Sequence, residues 1–154
     1  MNQGKRVMWK ETTLGDVAVD GLLAGLGAGV AMAIVLTAVG AVSGDAPTSV
    51  LARFDPSERA HPLVGALMHL AAAGVYGLLF GVIWRAMGRR MSGRITALAS
   101  GIVYGLALFV LAETVLLPSA RSPLLAIPAS AFGLAHVVYG LTLGWLMSRA
   151  SMGH

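Results

Sequence analysis

Four segments of the chain, residues 21–44, 62–84, 95–112 and 122–148, contain no Asp, Glu, Lys or Arg. No other feature narrows the choice of fold so far. A hydrocarbon core about 30 Å thick needs roughly 20 apolar residues at about 1.5 Å each. Three of the segments meet that length directly, and the third along the chain does so once it continues past Glu113 to Leu117. None alternates polar with apolar residues as a barrel strand would, and their length exceeds that usual for a buried soluble helix. Only 12% of the residues are charged, against about 25% in a soluble domain, too few to clothe a surface facing water. The expected fold class is therefore all-α: a polytopic membrane protein whose single domain, residues 1–154, is an antiparallel bundle of four transmembrane helices. Its spans are expected at about residues 17–43, 62–86, 95–117 and 128–148, with an outer loop at 44–61. The first segment is longer than the apolar part of a signal peptide and reads as a retained helix.

Charge then sets the expected orientation. Lys5, Arg6 and Lys10 precede the first span, Arg85, Arg89, Arg90 and Arg94 separate the second from the third, and Arg149 follows the fourth. All of these fall on one side of the bilayer. Arg53, Arg59 and Arg121 fall on the other, so the positive-inside rule puts both termini in the cytoplasm. Trp9, Trp84 and Trp145 would lie at that same headgroup level, where indoles are enriched. The net charge of +4 is thus read as a topology signal, and nucleic acid is not expected as a partner.

Local chemistry marks the helix ends. Thr13-Leu-Gly-Asp16 has the form of a capping box. Asp16 and Asp20, one turn apart, suit the positive end of a helix dipole, with proton uptake as the alternative use. Pro62 fits a first helical turn, and Pro118 falls where the third span is expected to stop. Pro123 and Pro128 divide the last apolar run, so residues 122–127 should lie along the outer interface. The loop from Asp45 to His61 mixes charged residues with Val50, Leu51 and Phe54, and is expected to lie on headgroups or to dock on a partner.

Every span carries glycines four residues apart: Gly21, Gly25 and Gly29; Gly77 and Gly81; Gly101 and Gly105; Gly140 and Gly144. Lipid tails provide little hydrophobic force between helices, so close approach of backbones through small residues is a main source of association. The seams are read as packing surfaces, within the bundle or against neighbours. A nucleotide loop is not expected, because the glycines lack the dinucleotide spacing and no strand precedes them. Val-Tyr-Gly-Leu recurs at residues 75–78, 103–106 and 138–141, a faint sign of duplicated hairpins.

The histidines are the most informative polar residues. His69 and His136 follow Pro62 and Pro128 at similar distances, on helices of the same direction, and so share a depth in the outer half. Glu113 reaches that half from the third span, and Tyr76, Tyr104 and Tyr139 extend a polar cluster inward. Polar groups in lipid are expected to face inward and pair. Three uses remain open for the cluster. The residues can satisfy one another and set helix register. His69 and His136 can hold a b-type haem between parallel helices. Or the cluster can serve proton, ion or small-solute transport, including a His69, His136, Glu113 site for a divalent metal.

With no Cys, thiolate catalysis, disulfides, c-type haem and cysteine-held iron–sulfur clusters are excluded. Nucleophile-elbow and phosphate-loop motifs are absent too, so no catalytic residue is assigned and enzymatic activity is not expected of the chain alone. The last span, His136-Val-Val-Tyr139-Gly140-Leu-Thr-Leu-Gly144, resembles the final span of small bacterial four-helix inner-membrane proteins of the YagU-like group. That resemblance implies a bacterial inner-membrane location and carries no catalytic residues. The resulting expectation is an accessory or structural subunit, surrounded by lipid and packed against other membrane proteins.

Overall fold

A computed structural model describes residues 13–87 and 93–150. Lys5, Arg6, Trp9, Lys10, Arg89 and Arg90, which weigh in the orientation argument, lie outside the described residues. The elements are α1 (Leu14–Val42), α2 (Pro47–Ala52), α3 (Pro62–Met87), α4 (Arg94–Leu111), a π-turn (Ala112–Leu116), α5 (Leu117–Ala120), a 3-10 turn (Pro123–Ala126) and α6 (Ala129–Ala150). Since α4, the π-turn and α5 form one rod, Arg94–Ala120, four helices among the described residues are long and apolar enough to cross a membrane.

The helix ends follow from particular residues. The Thr13 hydroxyl accepts the Asp16 amide at 3.2 Å, and the Asp16 carboxylate accepts the Thr13 amide at 2.9 Å. This capping box starts α1 at Leu14, three residues before the expected edge of the span. Asp16 is thereby engaged in satisfying free amides. The expected stop at Pro118 is corrected by the structure, where the rod runs on to Ala120. A π-turn precedes the proline, closed by the Leu117 amide reaching back to the Ala112 carbonyl. The proline sits in the first turn of the short α5 segment, a position that tolerates a missing amide. The Ser119 hydroxyl donates to the Val115 carbonyl at 2.6 Å, supplying a hydrogen bond within this stretch. Arg121 ends the rod in the left-handed region, φ 48°.

Glycine decides how the rods meet. A β-carbon on Gly21 would stand 2.6 Å from the Gly77 carbonyl, and one on Gly81 would stand 2.8 Å from the Val17 carbonyl. Gly25 and Gly77 meet backbone to backbone in the same way. The seams of α4 and α6 are built alike, with Gly101 against Gly140, Gly105 against the His136 carbonyl and Gly144 against the Ala97 carbonyl. Gly21, Gly25 and Gly29 therefore pair with α3, and Gly101 and Gly105 pair with Gly140 and Gly144. These seams lie inside the chain. The two pairs join through α1 and α6, where Ala28, Ala135 and Leu143 are completely buried. The order around the bundle is α3, α1, α6, α4, an arc whose end members α3 and α4 are not packed along their length.

The loop between α1 and α3 folds onto the bundle itself. Gly65 admits the Leu51 carbonyl and Gly40 admits the Val50 side chain, so α2 seats against both helices with Val50 2% exposed. Asp55, also buried, accepts the amides of His61 at 2.8 Å and Ser57 at 3.0 Å. Those two donors hold its carboxyl below the ordinary value of 3.8. The loop thus makes a roof over one end of the bundle. Residues 43–61 and 117–128 together make this the loop end of the molecule.

Candidate functional site

The open side of the arc contains a cavity of about 290 Å³ in its loop-end half. It exists because α3 and α4 stand apart there. Nearer the chain termini they are bridged by Tyr104, whose hydroxyl donates to the Tyr76 carbonyl at 2.8 Å and whose ring lies 5.1 Å from that of Phe80. Above that bridge, α3 and α6 present His69, Tyr76, His136 and Tyr139 to the space, while Ala112 and Leu116 of the π-turn form the opposite wall. A π-turn adds a residue to one turn and shifts the face presented by the residues after it, and such turns recur at functional sites. Phe54, from the roof, and Phe132 add two aromatic rings to a lining that is otherwise mostly aliphatic. Met68 and Leu116 are respectively 46% and 42% exposed, so the cavity's mouth is flanked by apolar side chains on the outer surface of the bundle.

Each histidine has one ring nitrogen engaged. His69 Nε2 lies 2.9 Å from the Gly29 carbonyl and His136 Nδ1 lies 2.9 Å from the Phe132 carbonyl. Both rings are 7% exposed by residue and fenced by phenylalanine: Phe54 stands 4.5 Å from His69, and Phe132 4.5 Å from His136, between ring centroids. Among the described residues the second nitrogen of each imidazole has no protein partner. Tyr139 donates its hydroxyl to the Ala73 carbonyl at 2.8 Å, which ties α6 to α3. The phenol hydrogens of Tyr104 and Tyr139 thus go to backbone carbonyls of α3, where they staple helices.

The structure gathers His69, His136, Tyr76 and Tyr139 around one space, sets Tyr104 at its floor, and leaves Glu113 out. Glu113 belongs to the π-turn and is half-buried, but the turn's cavity-facing residues are its neighbours Ala112 and Leu116. Among the described residues no three His, Cys, Asp or Glu side chains form a metal-binding group, so the His69, His136, Glu113 set is not assembled. The bis-histidine haem also meets a geometric obstacle. A volume of about 290 Å³ is at the low end for small-molecule pockets and too small for a tetrapyrrole. His69 and His136 as placed do not suit that cofactor.

Several lining residues carry no signal in the sequence. Met68, Ala112 and Leu116 are ordinary apolar residues of a span, and only the open α3–α4 side gives them a role. Phe54 is different, as a lone aromatic between Arg53 and Asp55 in an otherwise polar turn. A family model matches residues 15–153, which takes in all four long helices and every residue of the cavity. No curated protein and no solved structure matches the chain. The chain belongs to the family described as a family of unknown function, DUF6789.

Proposed function

We propose that this protein is a non-enzymatic membrane subunit that binds a small lipid-soluble molecule in the α3–α4 cavity. One observation carries the reading: a space of about 290 Å³ holds two imidazoles and two phenols at membrane depth beside an apolar, outward-facing mouth. Buried polar groups in lipid usually pair with one another. Among the described residues two ring nitrogens have no protein partner, while every fully buried side-chain polar atom has one, so these nitrogens border open space that a ligand can fill. A mouth flanked by Met68 and Leu116 suits entry from the bilayer.

The charge distribution supports both termini in the cytoplasm, and the likeness of the last helix to the YagU-like group supports a bacterial inner membrane. Eight Lys and Arg residues on the side of the termini face three on the loop side. Arg149 stands over the Trp145 ring, 4.2 Å from its centroid, at the same end as Trp84, an anchoring arrangement suited to a headgroup region. The accessory role fits a sequence with no Cys, nucleophile-elbow or phosphate-loop motif. Its glycine seams are used internally, so any partner would meet the bundle's exposed apolar faces.

The test is extraction of the protein in mild detergent and mass spectrometry of small molecules that accompany it. An apolar compound should accompany the natural chain and be lost from Ala112→Phe, whose ring would enter the cavity. Equal recovery from both proteins, or from neither, overturns the reading. Because the chain has no Cys, single cysteines at the exposed positions Ser57 and Met87, at opposite ends of the bundle, can report orientation by labelling from one side of sealed vesicles.

A further inference from the structure

We infer that the cavity selects a ligand that donates a hydrogen bond, namely a small apolar molecule ending in a hydroxyl or phenol. The inference rests on the proposed binding role and concerns the chemistry of the ligand's head. A carbonyl oxygen can only accept, so the bond to Gly29 puts the hydrogen of His69 on Nε2, and the bond to Phe132 puts that of His136 on Nδ1. Among the described residues no carboxylate lines the cavity to accompany an imidazolium, and an unpaired buried charge is costly. In the neutral ring the remaining nitrogen is a pure acceptor. The site therefore offers two lone pairs, His69 Nδ1 and His136 Nε2.

The phenols do not reverse this balance. Tyr139 and Tyr104 have their hydroxyl hydrogens on Ala73 and Tyr76 carbonyls, at 2.8 Å each. Tyr76 alone among the cavity phenols has a hydroxyl without a protein partner among the described residues, and a hydroxyl both donates and accepts. Among the described residues no Ser, Thr, Asn, Gln, Lys or Arg lines the space. A ligand hydroxyl can give its hydrogen to an imidazole and take one from Tyr76. A ketone or ether can take from Tyr76 but leaves both imidazoles facing an acceptor. Sites built to hydrogen-bond a hydroxyl discriminate strongly against analogues that lack it.

The experiment uses the full chain in lipid nanodiscs with three probes of one body: para-hexylphenol, its methyl ether and hexylbenzene. Binding is read as a saturable perturbation of histidine ring-nitrogen NMR signals, which also report the tautomers. The expected result is a hydrogen on His69 Nε2 and on His136 Nδ1, with the phenol binding about tenfold or more tightly than the ether, as leaving a buried acceptor unsatisfied implies. His136→Phe should reduce the phenol's advantage while the ether's affinity changes little. If the phenol and ether bind equally, or the opposite tautomers appear, the inference is overturned while the cavity remains a binding site. If none of the probes saturates, the binding role falls and this inference with it.

Discussion

The half of the bundle near the termini and the half near the loops are held together in different ways. Toward the termini the rods touch through backbone, with Gly77 on Gly21 and Gly25, and Gly140 on Gly101. Toward the loops they touch through rings and polar tips: Phe54 on His69, Phe132 on His136, and His69 on the Gly29 carbonyl. The change occurs at one level. Gly29, the last glycine of the α1 seam, meets Ala73 and His69, and Gly105, the last of the α4 seam, meets the His136 carbonyl. Where side chains are absent the contact is dense and leaves no room; where large rings take over, they fill the space incompletely and a cavity remains. Rigidity and vacancy are thus assigned to separate ends of the same helices.

The sharpest way to break this division is to put bulk into a seam. Gly77→Leu or Gly140→Leu directs a side chain at opposing backbone, which cannot rotate away as a side chain can. Overpacking of this kind should cost about 3 kcal/mol or more, measured by reversible unfolding in mixed micelles. A cost under about 1 kcal/mol would mean that the seams are not the close contacts described. Removing one staple has a smaller effect. Tyr139→Phe deletes the hydrogen bond to Ala73 across α3 and α6 and should lower stability by about 1 kcal/mol in the same assay.

The loop half offers a milder, pH-dependent test. Asp55 has its carboxyl held low by the His61 and Ser57 amides, so its stabilising effect is complete above the ordinary value of 3.8 and is lost as pH falls through the lowered one. Amide exchange at Ser57 and His61, corrected for intrinsic rates, should stay slow down to that range and quicken below it. Asp55→Asn should remove the pH dependence while leaving the transmembrane rods protected. Least change of all is expected for Gly133→Ala. The nearest atoms to its new methyl belong to the Phe109 ring, beginning at 3.5 Å, and alanine favours helix, so stability should shift by less than about 1 kcal/mol. A loss as large as that of Gly77→Leu would show that glycine is required everywhere and erase the contrast between the halves.

The four apolar rods were legible because hydrophobicity over a bilayer's length is a one-dimensional property. The Thr13 and Asp16 cap was legible for a similar reason, since its partners are three residues apart. Pairing was not. Four-residue spacing reveals that Gly21, Gly25, Gly101 and Gly105 lie along helix faces, but which face meets which depends on the arc that tertiary packing selects. Depth, likewise, could be read by counting from Pro62 and Pro128, while direction around the axis could not. His69 and His136 share both a level and a cavity; Glu113 was expected at that level and lies outside the lining. Pro118 marked a disturbance in the third rod, but a proline does not reveal whether a helix ends or absorbs it through a wider turn, as happens at Ala112–Leu116.

That wider turn has a consequence for how such a chain can change over time. A regular helix locks the azimuth of every residue to that of its neighbours at about 3.6 per turn, so a glycine face at Gly101 and Gly105 would also dictate what lies inward at the far end of the rod. The extra residue between Leu111 and Leu117 breaks that phase relation. Substitutions beyond it can reshape the chamber without disturbing the register of the α4–α6 contact, leaving the rod free to diversify at one end while its other end stays constrained.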